Sequence, residues 1–304
     1  MPEPFRSGLV SILGRPNAGK STLLNTLLGG KLAIVSDKPQ TTRTSIEGVL
    51  HLDNAQVVFL DTPGIHKSTT LLNKRMMDTV RSSVADRDLL LYLADATASF
   101  TDEDVHALAA LSKEAAPVFL LLTKVDRLSD KRLLLPQIEH YKAIREFDEY
   151  FPISSVTGEG LDALRAAILA RLPEGPSYYP PDYITDQPER FLAAELIREQ
   201  ILRLTRQEVP HSVAVLVDKW EVKPALTRVF ATIFVERQGQ KAIVIGAKGS
   251  TLKEIGTRAR QQMEKLLGRK VFLQLFVKVE KDWRERAEFL NSIDWRTIRS
   301  TESD

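Results

Sequence analysis

The sequence predicts an α/β protein, in which a doubly wound, mostly parallel sheet over residues 1–172 precedes a small α+β module. Three observations predict it. Apolar strand-like runs alternate with helical segments through the first half, and each run ends in a polar motif. Gly14-Arg15-Pro16-Asn17-Ala18-Gly19-Lys20-Ser21 lies between such a strand and such a helix. Five of the fifteen prolines crowd into residues 173–188, a density that no helix or central strand survives, and this marks a linker.

Strands are expected near residues 8–13, 46–51, 55–60, 88–94, 117–122 and 150–154, with helices near 20–28, 70–84, 102–114, 131–147 and 160–171. Leu9-Val10-Ser11-Ile12-Leu13 is an apolar run of strand length, and the helix opening at Lys20 stops at Gly29-Gly30. Beyond the linker, a helix from Pro188 to Arg206 carries Phe191, Ala194, Ile197, Ile201 and Leu204 on one apolar side. The second module is expected over 189–290, with a polar tail over 291–304 in which Trp295 packs back on the module.

The motif from Gly14 to Ser21 has the chemistry of a phosphate-binding loop. Its glycines let the backbone curl so that N–H groups face an anion, Lys20 reaches the outer phosphates, and Ser21, followed by Thr22, offers a hydroxyl to Mg²⁺. Asp61-Thr62-Pro63-Gly64 ends the run Gln56 to Leu60, placing a carboxylate beside the phosphates to hold a metal-bound water, which makes Asp61 a candidate metal residue, and a glycine N–H near the terminal phosphate. Thr123-Lys124-Val125-Asp126 ends the run Val118 to Leu122. A carboxylate at Asp126 can accept the N1 and N2 hydrogens of guanine, a pair that adenine lacks. Ser154-Ser155, followed by Val156, closes the set, with a backbone N–H for the guanine oxygen. All four motifs sit at strand ends, where an open α/β sheet binds ligands.

The polar stretch Pro39-Gln40-Thr41-Thr42-Arg43 is a candidate first switch, in which a threonine closes on Mg²⁺ when the terminal phosphate is present. Taken together the motifs resemble those of the Ras-like GTPases, and by motif position the resemblance favours Thr42 over Thr41. It departs at two places. Thr123 stands where most such proteins carry Asn, so weaker tethering of the adjoining loops is expected. Ile65 stands where Ras-type proteins place a water-orienting Gln, so slow intrinsic turnover is expected, with Arg43, Lys67 or a cation as the compensating group. Asn17 occupies the position that coordinates K⁺ in similar GTPases, which makes K⁺ a candidate cofactor beside GTP/GDP and Mg²⁺.

Zero cysteines exclude disulfides and thiolate metal sites, and the five histidines are scattered without ligand spacing. No apolar run approaches the ~20 residues of a membrane span, and no targeting pattern opens the chain, so a cytoplasmic monomer is expected. The net charge of +2 is unevenly divided. Residues 1–188 carry −4 and residues 189–304 carry +6, with nine basic residues between Arg237 and Lys270 against only Glu254 and Glu264. Such a distribution suits a phosphate-backbone surface.

Inside that basic stretch, Ile245-Gly246-Ala247-Lys248-Gly249 joins one helical segment to a second carrying Leu252, Lys253, Ile255, Ala259 and Met263. Strand-like runs Leu226 to Val235 and Val271 to Val277 flank the pair. The order resembles a KH domain of type II, and the Gly-x-x-Gly loop, Lys248 and Lys253 are its candidate RNA contacts. GTPase motifs, a proline-rich join and a KH domain together resemble the Era family of bacterial GTPases, from Gly8 to about Trp283. That resemblance implies a GTPase that binds the 3′ end of 16S ribosomal RNA, assists maturation of the 30S subunit as a nucleotide-gated switch, and associates peripherally with the inner membrane. An RNA-binding chaperone with a weak or vestigial nucleotide site is the alternative.

Overall fold

Leu89 to Leu93 and Val118 to Leu122 are buried without interruption, as continuous apolar runs are when both faces of a parallel sheet are covered. They form β4 (Leu89–Asp95) and β5 (Val118–Thr123) at the centre of a six-stranded sheet. The computed structural model describes residues 4–66, 69–109, 111, 116–206 and 209–296. They fall into two units: residues 1–33, 42–68 and 75–186 form the first, and residues 34–41, 69–74 and 187–304 the second.

In the first unit the other strands are β1 (Arg6–Gly14), β2 (Ile46–Leu52), β3 (Ala55–Asp61) and β6 (Glu149–Pro152). Their order is β2-β3-β1-β4-β5-β6; only the β2–β3 pair is antiparallel. Strand β1 runs parallel to both β3 and β4, so the sheet order reverses around it and leaves a crevice beyond its carboxyl end. The helices are α1 (Lys20–Leu28), α2 (Leu71–Ser82), α3 (Asp102–Ala109), α4 (Leu134–Ile144) and α5 (Leu161–Arg171). Expected and observed boundaries differ most at two of these. Of the helix expected over 102–114, the part beyond 109 falls largely outside the described residues. The helix expected from 131 opens with a 3₁₀ turn at Lys131–Leu133 and holds Pro136 in the first turn of α4, where no backbone donor is needed.

The proline-rich stretch is not free chain. Ile184 O accepts from Val49 N at 2.9 Å, Thr185 Oγ1 donates to Glu47 O at 2.5 Å, and the Gln56 amide spans Tyr178 N, Tyr179 N and Tyr179 O. Tyr179 and Tyr183 stack with ring centroids 4.3 Å apart.

The second unit contains α6 (Glu189–Leu204), β7 (Ala214–Lys223), β8 (Leu226–Val235), α7 (Gln238–Ile245), α8 (Ser250–Leu267), β9 (Lys270–Val279) and α9 (Ala287–Ile293). Its sheet is ordered β7-β8-β9, with β7 antiparallel and β9 parallel to β8. Ile197, Ile201, Val229, Ile233, Ile255 and Met263 anchor the core, which also takes in Ile34. Trp295 is buried, 6.1 Å from the Phe191 ring, while residues 297–304 of the expected tail lie outside the described residues.

Candidate functional site

The loop between β1 and α1 has the backbone that its sequence requires. Gly14 (φ 141°) passes so close to β4 that a Cβ there would stand 2.3 Å from Leu93 O. Asn17 holds a left-handed φ of 63°, a conformation Asn tolerates better than most residues. Lys20 is buried at the start of α1, its Nζ donating to Gly14 O at 3.0 Å and Arg15 O at 2.9 Å. Burial pulls its ammonium down to about 8, and the nearby Asp61 opposes that shift. The outer face of the loop is tied by Arg15, which donates to Asp104 at 2.8 Å, while Tyr141 donates to the other oxygen of the same carboxylate. Ala18 is buried, Pro16 half-buried, and Thr22 lies in the first turn of α1 with its carbonyl accepting from Thr26 Oγ1.

Three oxygens meet behind this loop. Ser21 Oγ lies 2.8 Å from Thr42 Oγ1 and donates to Asp61 Oδ2 at 2.6 Å, and Thr42 Oγ1 donates to Asp61 Oδ2 at 3.2 Å. Asp61 is fully buried, and its Oδ1 has no partner among the described residues. Burial pushes the carboxyl up to about 6, against the pull of Lys20 and the two hydroxyls.

That set fits Mg²⁺. A hard ion bound at about 2.1 Å in an octahedron has neighbouring ligands roughly 3 Å apart, close to the spacing of these oxygens, and Asp61 Oδ1 has acceptor capacity to spare. No cluster of three His, Cys, Asp or Glu exists among the described residues, so an ion bound here would take hydroxyl and phosphate oxygens beside the one carboxylate. Thr41, the other threonine of the pair, turns its hydroxyl to Lys38 O at 2.6 Å. Of the two, Thr42 is the one whose hydroxyl joins Ser21 and Asp61.

The second switch candidate rests on the phosphate loop. Thr62 donates to Ile12 O at 2.8 Å, Pro63 and Gly64 are buried, and Ile65 N donates to Gly14 O at 3.1 Å. The Ile65 side chain is buried and apolar, so it presents nothing to a water molecule. Lys67 lies outside the described residues.

At the guanine end, Asp126 is exposed, with no hydrogen bond to another described residue. Lys124, at φ 61°, pairs with Asp95 at 2.6 Å. Thr123 was expected to weaken the tether between loops, yet its hydroxyl reaches Ala18 O at 2.8 Å and Ala94 O at 3.1 Å. Its buried hydroxyl joins the phosphate loop to the neighbouring strand. Ser154 is buried, its Oγ accepting from Val156 N at 3.3 Å and Thr157 N at 3.1 Å. Ser155 O accepts from Thr26 Oγ1 at 3.0 Å, and Val156 is exposed. Ser154 shapes this loop through those two bonds, and the Thr123 tether and the Arg15–Asp104 pair were missed in the sequence. A polar residue ending a wholly apolar strand is the only signal that pointed to the former.

In the second unit Gly246 (φ 73°, ψ 177°) and Gly249 (φ 81°) bracket Ala247 and Lys248, which are exposed. Ile245 and Gly246 end α7, and Lys253 is exposed on the first turn of α8. The backbone between the two helices is thus open at Gly249, where a Cβ would meet nothing within 4 Å. A phosphodiester can approach there, with the α8 N-terminus behind it.

These two units define a class: a P-loop GTPase joined to a KH domain. Residues 9–124 match the family model described as 50S ribosome-binding GTPase, and residues 208–284 match the KH domain. The chain is 49% identical over 294 residues to GTPase Era of Geobacter metallireducens, covering 96% of this chain and 98% of the relative. With GTPase Era of Syntrophus aciditrophicus it shares 49% over 293 residues, covering 96% and 95%. The chain belongs to the GTPase Era family. A solved Era in complex with MgGDPNP and nucleotides 1506–1542 of 16S ribosomal RNA superposes with a TM-score of 0.93 at 41% identity, covering 96% of this chain and 99% of that one. An Aquifex aeolicus Era variant bound to GDP·AlF4⁻ gives 0.92 at 41%, with the same coverage.

Proposed function

We propose that this chain hydrolyses GTP to GDP and phosphate and uses the nucleotide state to time its hold on the 3′ end of 16S ribosomal RNA during small-subunit assembly. The convergence of Ser21, Thr42 and Asp61 beside Lys20 carries this reading, since a vestigial nucleotide site has no reason to keep three metal-ligating oxygens within 3.2 Å. The relatives add the RNA: a solved Era holds nucleotides 1506–1542 of 16S ribosomal RNA, and this chain carries a KH domain over residues 208–284.

Ser21, Thr42 and Asp61 would hold Mg²⁺, which would supply positive charge against the phosphates when nucleotide is bound. Lys20 Nζ, which donates to two loop carbonyls in the ligand-free fold, would donate to phosphate oxygens instead, and their negative charge would favour its protonated form. Asp126 reads the guanine edge, and Thr123 keeps that strand end in register with the phosphate loop. No side chain at Ile65 orients the attacking water, so turnover rests on backbone groups and on a cation near Asn17, and K⁺ is the ion we assign to it. Binding to the 30S particle and peripheral contact with the cytoplasmic face of the membrane complete the proposal; among the described residues no helix is long and apolar enough to cross a membrane.

The test is GTP hydrolysis with and without a short single-stranded RNA copied from the 3′ end of 16S ribosomal RNA, in Na⁺ and in K⁺, with Lys20→Ala and Gly249→Asp as controls. RNA-stimulated turnover lost in both variants is expected. Tight RNA binding with no turnover in any condition overturns the GTPase part, and equal rates in the two salts remove the K⁺ part.

A further inference from the structure

Residues 34–41, which lead into the first switch threonine, are held within the second unit by two neighbouring charged residues of α6. Val35 N donates to Glu199 Oε1 at 3.0 Å, and Glu199 is fully buried. Six residues later the Thr41 carbonyl accepts from Arg198 Nη2. Arg198 is only 2% exposed. Its Nε and Nη2 also donate to Glu195 at 2.7 Å and 2.5 Å, while its Nη1 is buried with no partner among the described residues.

A buried guanidinium with one unsatisfied nitrogen is a costly way to fill space, since an apolar side chain of similar volume is often neutral or stabilising in such a place. Among the described residues Arg198 makes one hydrogen bond outside its own helix, and that bond goes to the peptide joining Thr41 to Thr42. The fork of an arginine fixes its acceptors relative to one another in a way that a flexible ammonium does not, so Glu195 aims Arg198 and Arg198 places the carbonyl. The segment is also strained just upstream. Gln40 holds a left-handed φ of 60° and donates to Asn73 Oδ1 at 3.2 Å, a conformation that persists only where surroundings impose it.

We infer that Arg198 is a positioning residue for GTP hydrolysis: by holding the Thr41 carbonyl it sets the next residue, Thr42, with its hydroxyl toward Ser21 and Asp61. This rests on the GTPase reading above and adds to it the group that fixes the first switch. Arg198 acts through one peptide, the one its Nη2 holds at the Thr41 carbonyl.

Full-length Arg198→Met, Arg198→Lys and Glu195→Gln proteins test it beside the wild type. Three quantities are measured: amide hydrogen exchange over residues 36–42 without nucleotide, the Mg²⁺ dependence of binding a non-hydrolysable GTP analogue, and kcat. For Arg198→Met, exchange over 36–42 is expected to rise at least fivefold. Half-saturating Mg²⁺ should rise at least threefold and kcat should fall about tenfold, while GDP affinity stays within twofold. Lysine, still able to donate to the Thr41 carbonyl, should recover part of each loss, and Glu195→Gln should fall between the wild type and Arg198→Met. Unchanged exchange and Mg²⁺ response in a folded Arg198→Met protein overturn the inference. So does a loss of GDP affinity and melting temperature that lysine does not restore, which makes Arg198 a packing residue only. If the wild type itself fails to turn over GTP, the proposed function falls, and the exchange and Mg²⁺ readouts still decide the role of Arg198.

Discussion

Gly64 and Pro16 meet backbone to backbone: a Cβ built on Gly64 would stand 2.7 Å from both the Cα and the N of Pro16. The candidate second switch and the phosphate loop therefore share a surface that only glycine permits. In Gly64→Ala the two segments must separate, which displaces the N–H expected near the terminal phosphate. Hydrolysis should fall at least tenfold while GDP affinity changes by less than threefold. Single-turnover rates and a GDP titration check it, and a rate within twofold of the wild type would show that the contact is dispensable.

Thr123→Val keeps the shape of the buried side chain and removes its hydroxyl, leaving Ala18 O and Ala94 O without that donor. A lost bond to a buried acceptor costs about 1–3 kcal/mol. Denaturant unfolding should show a loss in that range, and GDP affinity should drop several-fold because the phosphate loop loses its tie to β5. Thr123→Ser, which keeps the hydroxyl, should lie near the wild type in both measurements.

Burial, outweighing the pull of Lys20, places the Asp61 carboxyl at about 6 in the ligand-free fold. An acid whose folded pKa lies above its unfolded value of about 3.9 is favoured protonated in the native state. Its contribution to stability is therefore full below pH 4 and is lost as pH rises through 6. Mg²⁺ requires the carboxylate, so its binding should release a proton below pH 6, and half-saturating Mg²⁺ should fall between pH 5 and 7 and then level off. Calorimetric titrations in two buffers of different ionisation enthalpy report that proton directly, and Asp61→Asn should abolish it.

Gly246 and Gly249 differ in what a side chain would meet. At Gly246 a Cβ would lie 2.2 Å from Thr251 Oγ1, in a backbone region used almost only by glycine, whereas at Gly249 it would meet open space. Gly246→Ala should lower stability by roughly 1–3 kcal/mol, and Gly249→Ala by less. Both should weaken single-stranded RNA binding. Urea unfolding followed by RNA titration at fixed salt separates the two effects.

Much of the first unit was legible because a parallel sheet covered on both faces leaves long apolar runs, and because nucleotide chemistry repeats at strand ends. Val118 to Leu122 gave both signals at once. Strand β7 went unread. Its outer half, Asp218 to Lys223, is mostly charged, and a register shift between Val217 and Lys219 breaks its period. Thr41 and Thr42 could be ranked by motif position, but the packing of residues 34–41 on α6 depends on contacts about 160 residues apart in the chain, which no local pattern encodes. The Thr123 tether was hidden for a similar reason: a hydroxyl that ends a strand has many acceptors within reach, and only the folded sheet selects Ala18.

The stretch from Glu174 to Thr185 has a consequence for how the first unit behaves in a crowded solution. Strand β2 is an outermost strand of its sheet, and a bare outer strand is a template on which further chains can add by backbone pairing. Ile184 O occupies the Val49 N–H, Thr185 occupies Glu47 O, and His51 Nε2 meets Tyr183 O at 2.7 Å. The prolines nearby, lacking N–H groups, offer little for a stranger to continue. This segment is thus a guard against self-association, and a chain ending at residue 173 should precipitate at concentrations that the longer protein tolerates.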